Sequence, residues 1–173
     1  MLKFKDIKRI SRAGYMVDVS WAYLRSWIKE NQDVTEIGCD MDPPYQRGYV
    51  WTDEQKTAYL EYIVKDGTSG KDIFWNCPGW MNSFRGPLEL VDGKQRIYSV
   101  LDFLNGKIKV FGHFYNEYED TFDWLVCRFH FHVHDLNNKI DVVQWYLDMN
   151  TGGSIHTEED LEPARRMLEE LKS

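Results

Sequence analysis

Positive charge is scarce in this sequence. Lysine and arginine number 21 against 28 aspartates and glutamates, a net charge of −7, whereas coating nucleic acid by bulk electrostatics needs clustered basic residues. The one basic run, Lys3, Lys5, Lys8, Arg9 and Arg12 with only Asp6 against it, lies within residues 1–14 and reads as a solvated, loosely held end. Cysteine is also sparse: Cys39, Cys77 and Cys127 are odd in number and lack CxxC spacing, which points to reduced structural thiols and away from a disulfide framework or zinc knuckle. No apolar run is long enough to span a bilayer, and the start MLKFKDIKRI has no signal-peptide apolar region. The expectation is a cytoplasmic protein with no membrane partner.

What is present is core-forming material. The chain is 43% hydrophobic and 15% aromatic, too rich for a disordered segment, and residues 1–173 suit one domain with its own core. Tyr15 to Val19 reads as a strand, after which Ser20 caps a helix with Trp21, Leu24, Trp27 and Ile28 at helical spacing. Asn31 to Cys39 is polar and reads as loop. Asp42-Pro43-Pro44 forces extended or turn backbone. Thr52-Asp53-Glu54-Gln55 is a capping box opening a helix to about Lys65, with Tyr59, Tyr62 and Ile63 on its buried side and Gly67 supplying the left-handed stop.

Further along, Ile73–Trp75 and Leu88–Val91 read as strands, and the second runs through Asp92-Gly93 into a helix with Ile97, Val100, Leu101 and Leu104 at helical spacing, closed by Asn105-Gly106. Arg128 to His134 alternates strictly, with Phe129, Phe131 and Val133 on one face and three histidines on the other. Helical spacing resumes at Ile140, Val143 and Leu147 and breaks at Asn150-Thr151-Gly152-Gly153. A last helix starts near Thr157, with Glu158, Glu159 and Asp160 as dipole partners and Pro163 as a kink or restart. Strands and helices mix without regular alternation, which favours an α+β layer architecture over a doubly wound sheet.

Chemistry concentrates at Asp92-Gly93-Lys94-Gln95-Arg96. An Asp-Gly turn between strand and helix leaves backbone amides at the positive end of the helix dipole, an anion site before any side chain is counted. Lys94 and Arg96 add cations, Arg96 can grip phosphate with two parallel hydrogen bonds, and Gln95 offers a donor and an acceptor. The plainer alternative is a capped helix with a surface arginine. The extended stretch from Pro44 to Trp51 displays Gln46, Arg47 and aromatic faces suited to a base stacked over phosphates. Against that, Tyr45, Tyr49 and Trp51 at alternating positions are also ordinary core residues.

Three segments together carry a family resemblance: Pro44-x-Gln46-Arg47-x-Tyr49-x-Trp51 ahead of a helix, Leu90-Val91-Asp92-Gly93-Lys94-Gln95-Arg96, and Leu147-Asp148-Met149-Asn150-Thr151-Gly152-Gly153. In this order they resemble the N-terminal domain of GmrSD-type modification-dependent restriction endonucleases, within the ParB/sulfiredoxin-like group. The resemblance implies a small mixed sheet with packed helices and a nucleotide site in which Asp92, Gln95 and Arg96 are catalytic. It adds Gln46, Arg47, Gly93 and Lys94 as phosphate- or ligand-binding residues, with Asn150 and Gly152 as a further wall. Lys94 stands where the family usually has Gln, which adds a cation for phosphate. The restriction enzymes append a nuclease domain, and too little chain follows Leu171 to supply one, so the expectation is a short stand-alone phage or mobile-element protein.

His130, His132 and His134, with Asp135 beside them, are weak candidates for metal ligands, since alternate positions on a straight strand are spaced too widely to converge easily on one tetrahedral ion. The thiols lack a basic partner in sequence apart from Arg128, which speaks against a sulfiredoxin-like mechanism. The leading functional expectation is an NTP-binding and NTP-hydrolysing domain with Mg²⁺, linked to DNA restriction, defence or phage biology, with Asp92 orienting a water or metal-bound hydroxide. The alternatives are a non-catalytic module sensing nucleotide or DNA or pairing with a partner protein or second copy, and a ParB-like nuclease acting on DNA directly.

Overall fold

The computed structural model describes residues 3–7, 14–31, 38–83, 85–123, 125–151 and 158–173. Along the chain run β1 (Gly14–Ser20), α1 (Trp21–Glu30), β2 (Cys39–Asp40), α2 (Asp53–Val64), β3 (Asp72–Asn76), β4 (Leu88–Asp92), α3 (Lys94–Leu104), β5 (Arg128–His134), α4 (Lys139–Thr151) and α5 (Glu158–Lys172). The strands form one mixed sheet in the order β1-β5-β3-β4-β2. β1–β5 and β3–β4 pair antiparallel, while β5–β3 and β4–β2 pair parallel. The architecture is α+β, as the irregular mixture of patterns predicts.

Alternation along the strands decides what each sheet face meets. Phe129, Phe131 and Val133 of β5 join Ile73, Trp75, Leu88 and Leu90 under α1, α2 and α3, whose Trp21, Leu24, Leu60, Ile63, Ile97 and Val100 complete the larger core. On the opposite face Phe74 and Val91 meet Tyr45 and the α4–α5 pair through residues that include Val143, Tyr146, Leu161, Ala164 and Leu168. Each large side chain so buried stabilises the fold by roughly 1.5–3 kcal/mol relative to exposure.

The helix starts follow local chemistry. Ser20 Oγ accepts from the Tyr23 amide at 3.3 Å. Thr52 Oγ1 accepts from the Gln55 amide at 3.3 Å while Gln55 Oε1 accepts from the Thr52 amide at 2.9 Å, the reciprocal box read from the sequence. Several boundaries differ. Asp66, with φ 63°, takes the left-handed position after α2 rather than Gly67. Tyr62 is 44% exposed, and its ring lies where a Gly67 side chain would be, 2.4 Å from an ideal Cβ. Cys39, expected in a loop, pairs with Leu88 in a two-residue strand too short to carry periodicity. Asn150 and Thr151 continue α4 instead of breaking it, and Pro163 sits inside α5, which runs through it. Lys8, Arg9, Arg12, Gly152, Gly153 and the Thr157 cap lie outside the described residues.

Candidate functional site

β4 delivers the chain into α3 through Gly93, and the turn requires glycine twice over. Its φ of 109° is left-handed, and an added Cβ would sit 2.4 Å from Ile73 Cδ1. Such backbone is disfavoured for any residue with a side chain. Gly93 caps α3 with no side-chain hydrogen bond, and the first-turn residues Lys94, Gln95 and Arg96 line a cavity of about 390 Å³. The positive end of the helix dipole therefore borders that space. The volume suits a small-molecule ligand, for which pockets of roughly 300–1,000 Å³ are usual.

The extended stretch before α2 is stitched onto this turn. Gln46 Nε2 donates to the carbonyls of Leu90 and Val91, the latter at 2.9 Å. Gln95 Oε1 accepts from the amides of Val50 at 3.0 Å and Trp51 at 3.1 Å, and its Nε2 donates to the Gly48 carbonyl at 3.0 Å. Lys94 Nζ donates to the Arg47 carbonyl at 3.2 Å and pairs with Asp42 at 2.6 Å. Backbone without a ladder of its own thus acquires partners from α3 side chains, which holds Arg47 and Trp51 against the cavity.

Both arginines border the cavity, each facing a carboxylate. Arg96 pairs with Asp92, four residues back. Arg47 Nη1 donates to Asp160 Oδ2 of α5 at 2.9 Å. Tyr146 of α4 stands among these charges: burial raises its hydroxyl pKa, Arg47 opposes the rise, and Asp92 and Asp160 add to it. One turn on, Asn150 Nδ2 donates to the Tyr146 carbonyl at 2.7 Å. Burial raises the Tyr59 hydroxyl pKa, the nearby Arg96 cation opposes the rise, and the hydroxyl donates to the Gly70 carbonyl at 2.9 Å.

Gln46, Arg47, Asp92, Gly93, Lys94, Gln95, Arg96 and Asn150 accordingly line one cavity, and Gly152 falls outside the described residues. Two of these side chains already hold partners within the fold. The Lys94 ammonium, expected to meet phosphate, is already bound by Asp42 and the Arg47 carbonyl. The Gln95 amide holds residues 48–51 with both its ends. The aromatic question divides: Tyr45 is fully buried core, Tyr49 packs on Tyr98, and Trp51 lines the cavity. Sequence reasoning missed Tyr146, although it lies four residues before Asn150 on a helix and so shares its face. It also left Asp160 as a dipole partner, since no local signal ties α5 to Arg47.

The histidine row takes separate partners. His130 Nδ1 lies 2.6 Å from Asp18 Oδ1, His132 Nε2 lies 2.6 Å from Asp72 Oδ1, and His134 packs on the Trp145 ring at 4.2 Å. Among the described residues no group of three or more His, Cys, Asp or Glu could hold a metal ion. All three cysteines are buried, and burial pushes the Cys39 thiol up to about 12 and Cys127 to about 11, away from the thiolate that reactivity needs.

Fold and site together define an α+β domain whose central helix opens onto a cavity bordered by two arginines. Residues 25–148 match the family model of the GmrSD restriction endonuclease N-terminal domain, and the chain belongs to that family. The match includes both arginines and ends just short of Asn150. No curated protein and no solved structure matches the chain. Family membership ties this domain to restriction and defence. Among the described residues, no helix is long and apolar enough to cross a membrane.

Proposed function

We propose that the cavity binds a nucleoside triphosphate with Mg²⁺ and hydrolyses it in the service of DNA restriction. The carrying observation is that Arg47 and Arg96, from distant segments, border one cavity with the uncapped start of α3. Guanidinium groups and helix-start amides are the donors that phosphate oxygens take best. On binding, the phosphates displace the carboxylates from the arginines. Asp92 then becomes available to a magnesium ion or to the attacking water, and Mg²⁺ is typically held by one or two carboxylates plus phosphate oxygens. Gln95 acts by holding the 48–51 segment, and Trp51 offers a ring face to the base. Tyr146 and Asn150 of α4 line the same cavity.

A second reading, a nucleotide-sensing module without turnover, draws support from the internal pairing of Arg47, Arg96 and Lys94. A site whose cations are already matched suits a switch between two sets of contacts. Isothermal titration with the four NTPs, with and without Mg²⁺, tests binding on the native chain and on Arg96→Ala. Heat from the native chain that is lost in the variant is the expected result, and flat traces from both remove the proposal. Phosphate release over many turnovers selects hydrolysis, and tight binding without release selects the module.

A further inference from the structure

Asp160 lies in the first turn of α5, and its contact with Arg47 spans 113 residues of sequence at 2.9 Å. Both side chains are largely withdrawn from solvent, Arg47 16% and Asp160 21% exposed. Screening by water and salt is therefore weaker than for a surface pair. Asp160 also acts on Tyr146 together with Arg47 and Asp92, so its carboxylate stands beside the cavity-lining Arg47 and Tyr146 without lining the cavity itself, and it lies beyond the family match. A carboxylate and a phosphate bind the same fork of guanidinium N–H groups.

We propose that Asp160 is a built-in competitor for the ligand's phosphate at Arg47, so that occupation of the cavity frees the start of α5. The proposal rests on the phosphate-ligand function given above. The second arginine cannot serve this way. Arg96 and Asp92 are four residues apart at the same β4–α3 turn, and separating them moves no other element. Arg47 and Asp160 instead join the segment ahead of α2 to a helix whose remaining hold on the fold includes Leu161, Ala164 and Leu168 in the second core. Competition at one group couples the two events, and the coupling is reciprocal: ligand loosens the α5 start, and loosening the α5 start improves ligand affinity.

The test titrates inorganic pyrophosphate, and separately the four Mg-NTPs, into the native chain, Asp160→Asn and Glu159→Gln. The last variant removes the same charge from an exposed neighbour in the same turn. Asp160→Asn should tighten pyrophosphate by about fivefold to tenfold, the worth of one partly buried ion pair, with Glu159→Gln close to native. Hydrogen exchange on the native chain should speed up at the first amides of α5 when pyrophosphate binds, and this readout stands even if a variant folds poorly. Equal tightening in both variants, no tightening in Asp160→Asn, or slower exchange in α5 would each overturn the competition while leaving ligand binding intact. No binding by any chain overturns both proposals. Tightening for pyrophosphate with no preference for any nucleotide upholds the competition and removes the nucleotide.

Discussion

Lys94 and Asp42 form a close ion pair, with Nζ 2.6 Å from Oδ1, although Asp42 is largely exposed and Lys94 is almost fully buried. Burial works against charge on Asp42, yet hydrogen bonds from Lys94 and Tyr98 hold its carboxyl below the usual range. Lys94 thereby anchors the segment carrying Arg47 and has its charge matched by Asp42, apart from the two cavity arginines.

Replacing this lysine therefore separates anchoring from phosphate binding. Lys94→Gln should leave pyrophosphate affinity within about twofold of native, since its ammonium is nearly fully buried and held by both Asp42 and the Arg47 carbonyl, whereas each arginine faces one carboxylate at the open cavity. Arg96→Ala should lower it by at least tenfold, as loss of a charge-assisted contact costs about 1.5–3 kcal/mol. Titration calorimetry on both variants decides. A large loss in Lys94→Gln would return the ammonium to the phosphate site.

Gln95 holds the backbone of Gly48, Val50 and Trp51 through three hydrogen bonds. At about 0.5–1.5 kcal/mol net for each of the three bonds, Gln95→Ala should destabilise the domain by roughly 1.5–4.5 kcal/mol in urea denaturation, hydration of the freed groups favouring the lower end. Trp51 fluorescence should shift as the segment loosens. Unchanged stability would mean that the amide contacts do not hold this stretch.

At Gly93 the left-handed backbone and the Ile73 contact act together. Gly93→Ala should lose at least about 2 kcal/mol from backbone strain and overpacking. Chemical denaturation checks this directly, and an Ile73→Ala background should recover part of the loss by removing the obstructing methyl groups. Full stability in the single variant would rule out the observed turn geometry.

His134 gives the fold a pH dependence of known sign. Its Nδ1 is buried with no hydrogen-bond partner among the described residues, and burial, then the neighbouring His132, lowers its pKa from 6.5. Above 6.5 both folded and unfolded chains hold the ring neutral, and the full contribution to stability is present. Below it the unfolded chain takes up a proton that the folded one resists, so stability falls until the lowered folded pKa is passed. His134→Phe should lose less stability than the native chain between pH 7.5 and pH 5.5, measured by urea denaturation at each pH. An identical loss would assign the slope to other groups.

Much of the fold is written locally. The Thr52–Gln55 box, the Ser20 cap and the alternation from Arg128 to His134 each depend on residues within a few positions, and each is present. Glycine at 93 is likewise legible, because strand, Asp-Gly and helix adjoin in sequence. What misled were positions where a distant neighbour wins. Tyr62 has helical spacing for the core but covers Gly67 at the surface. Cys39 joins a strand only because Leu88 lies beside it.

The sequence by itself determined the periodic elements, the mixed α+β class and the donors gathered at the start of α3, since caps, alternation and turn glycines act over a few bonds. Tertiary structure alone decided which charges remain for a ligand. Asp42 reaches Lys94, Asp160 reaches Arg47 and the backbone of 48–51 takes both ends of Gln95. Coulomb and hydrogen-bond energies depend on distance in space, and no local pattern in the chain encodes how far apart two remote residues come to rest.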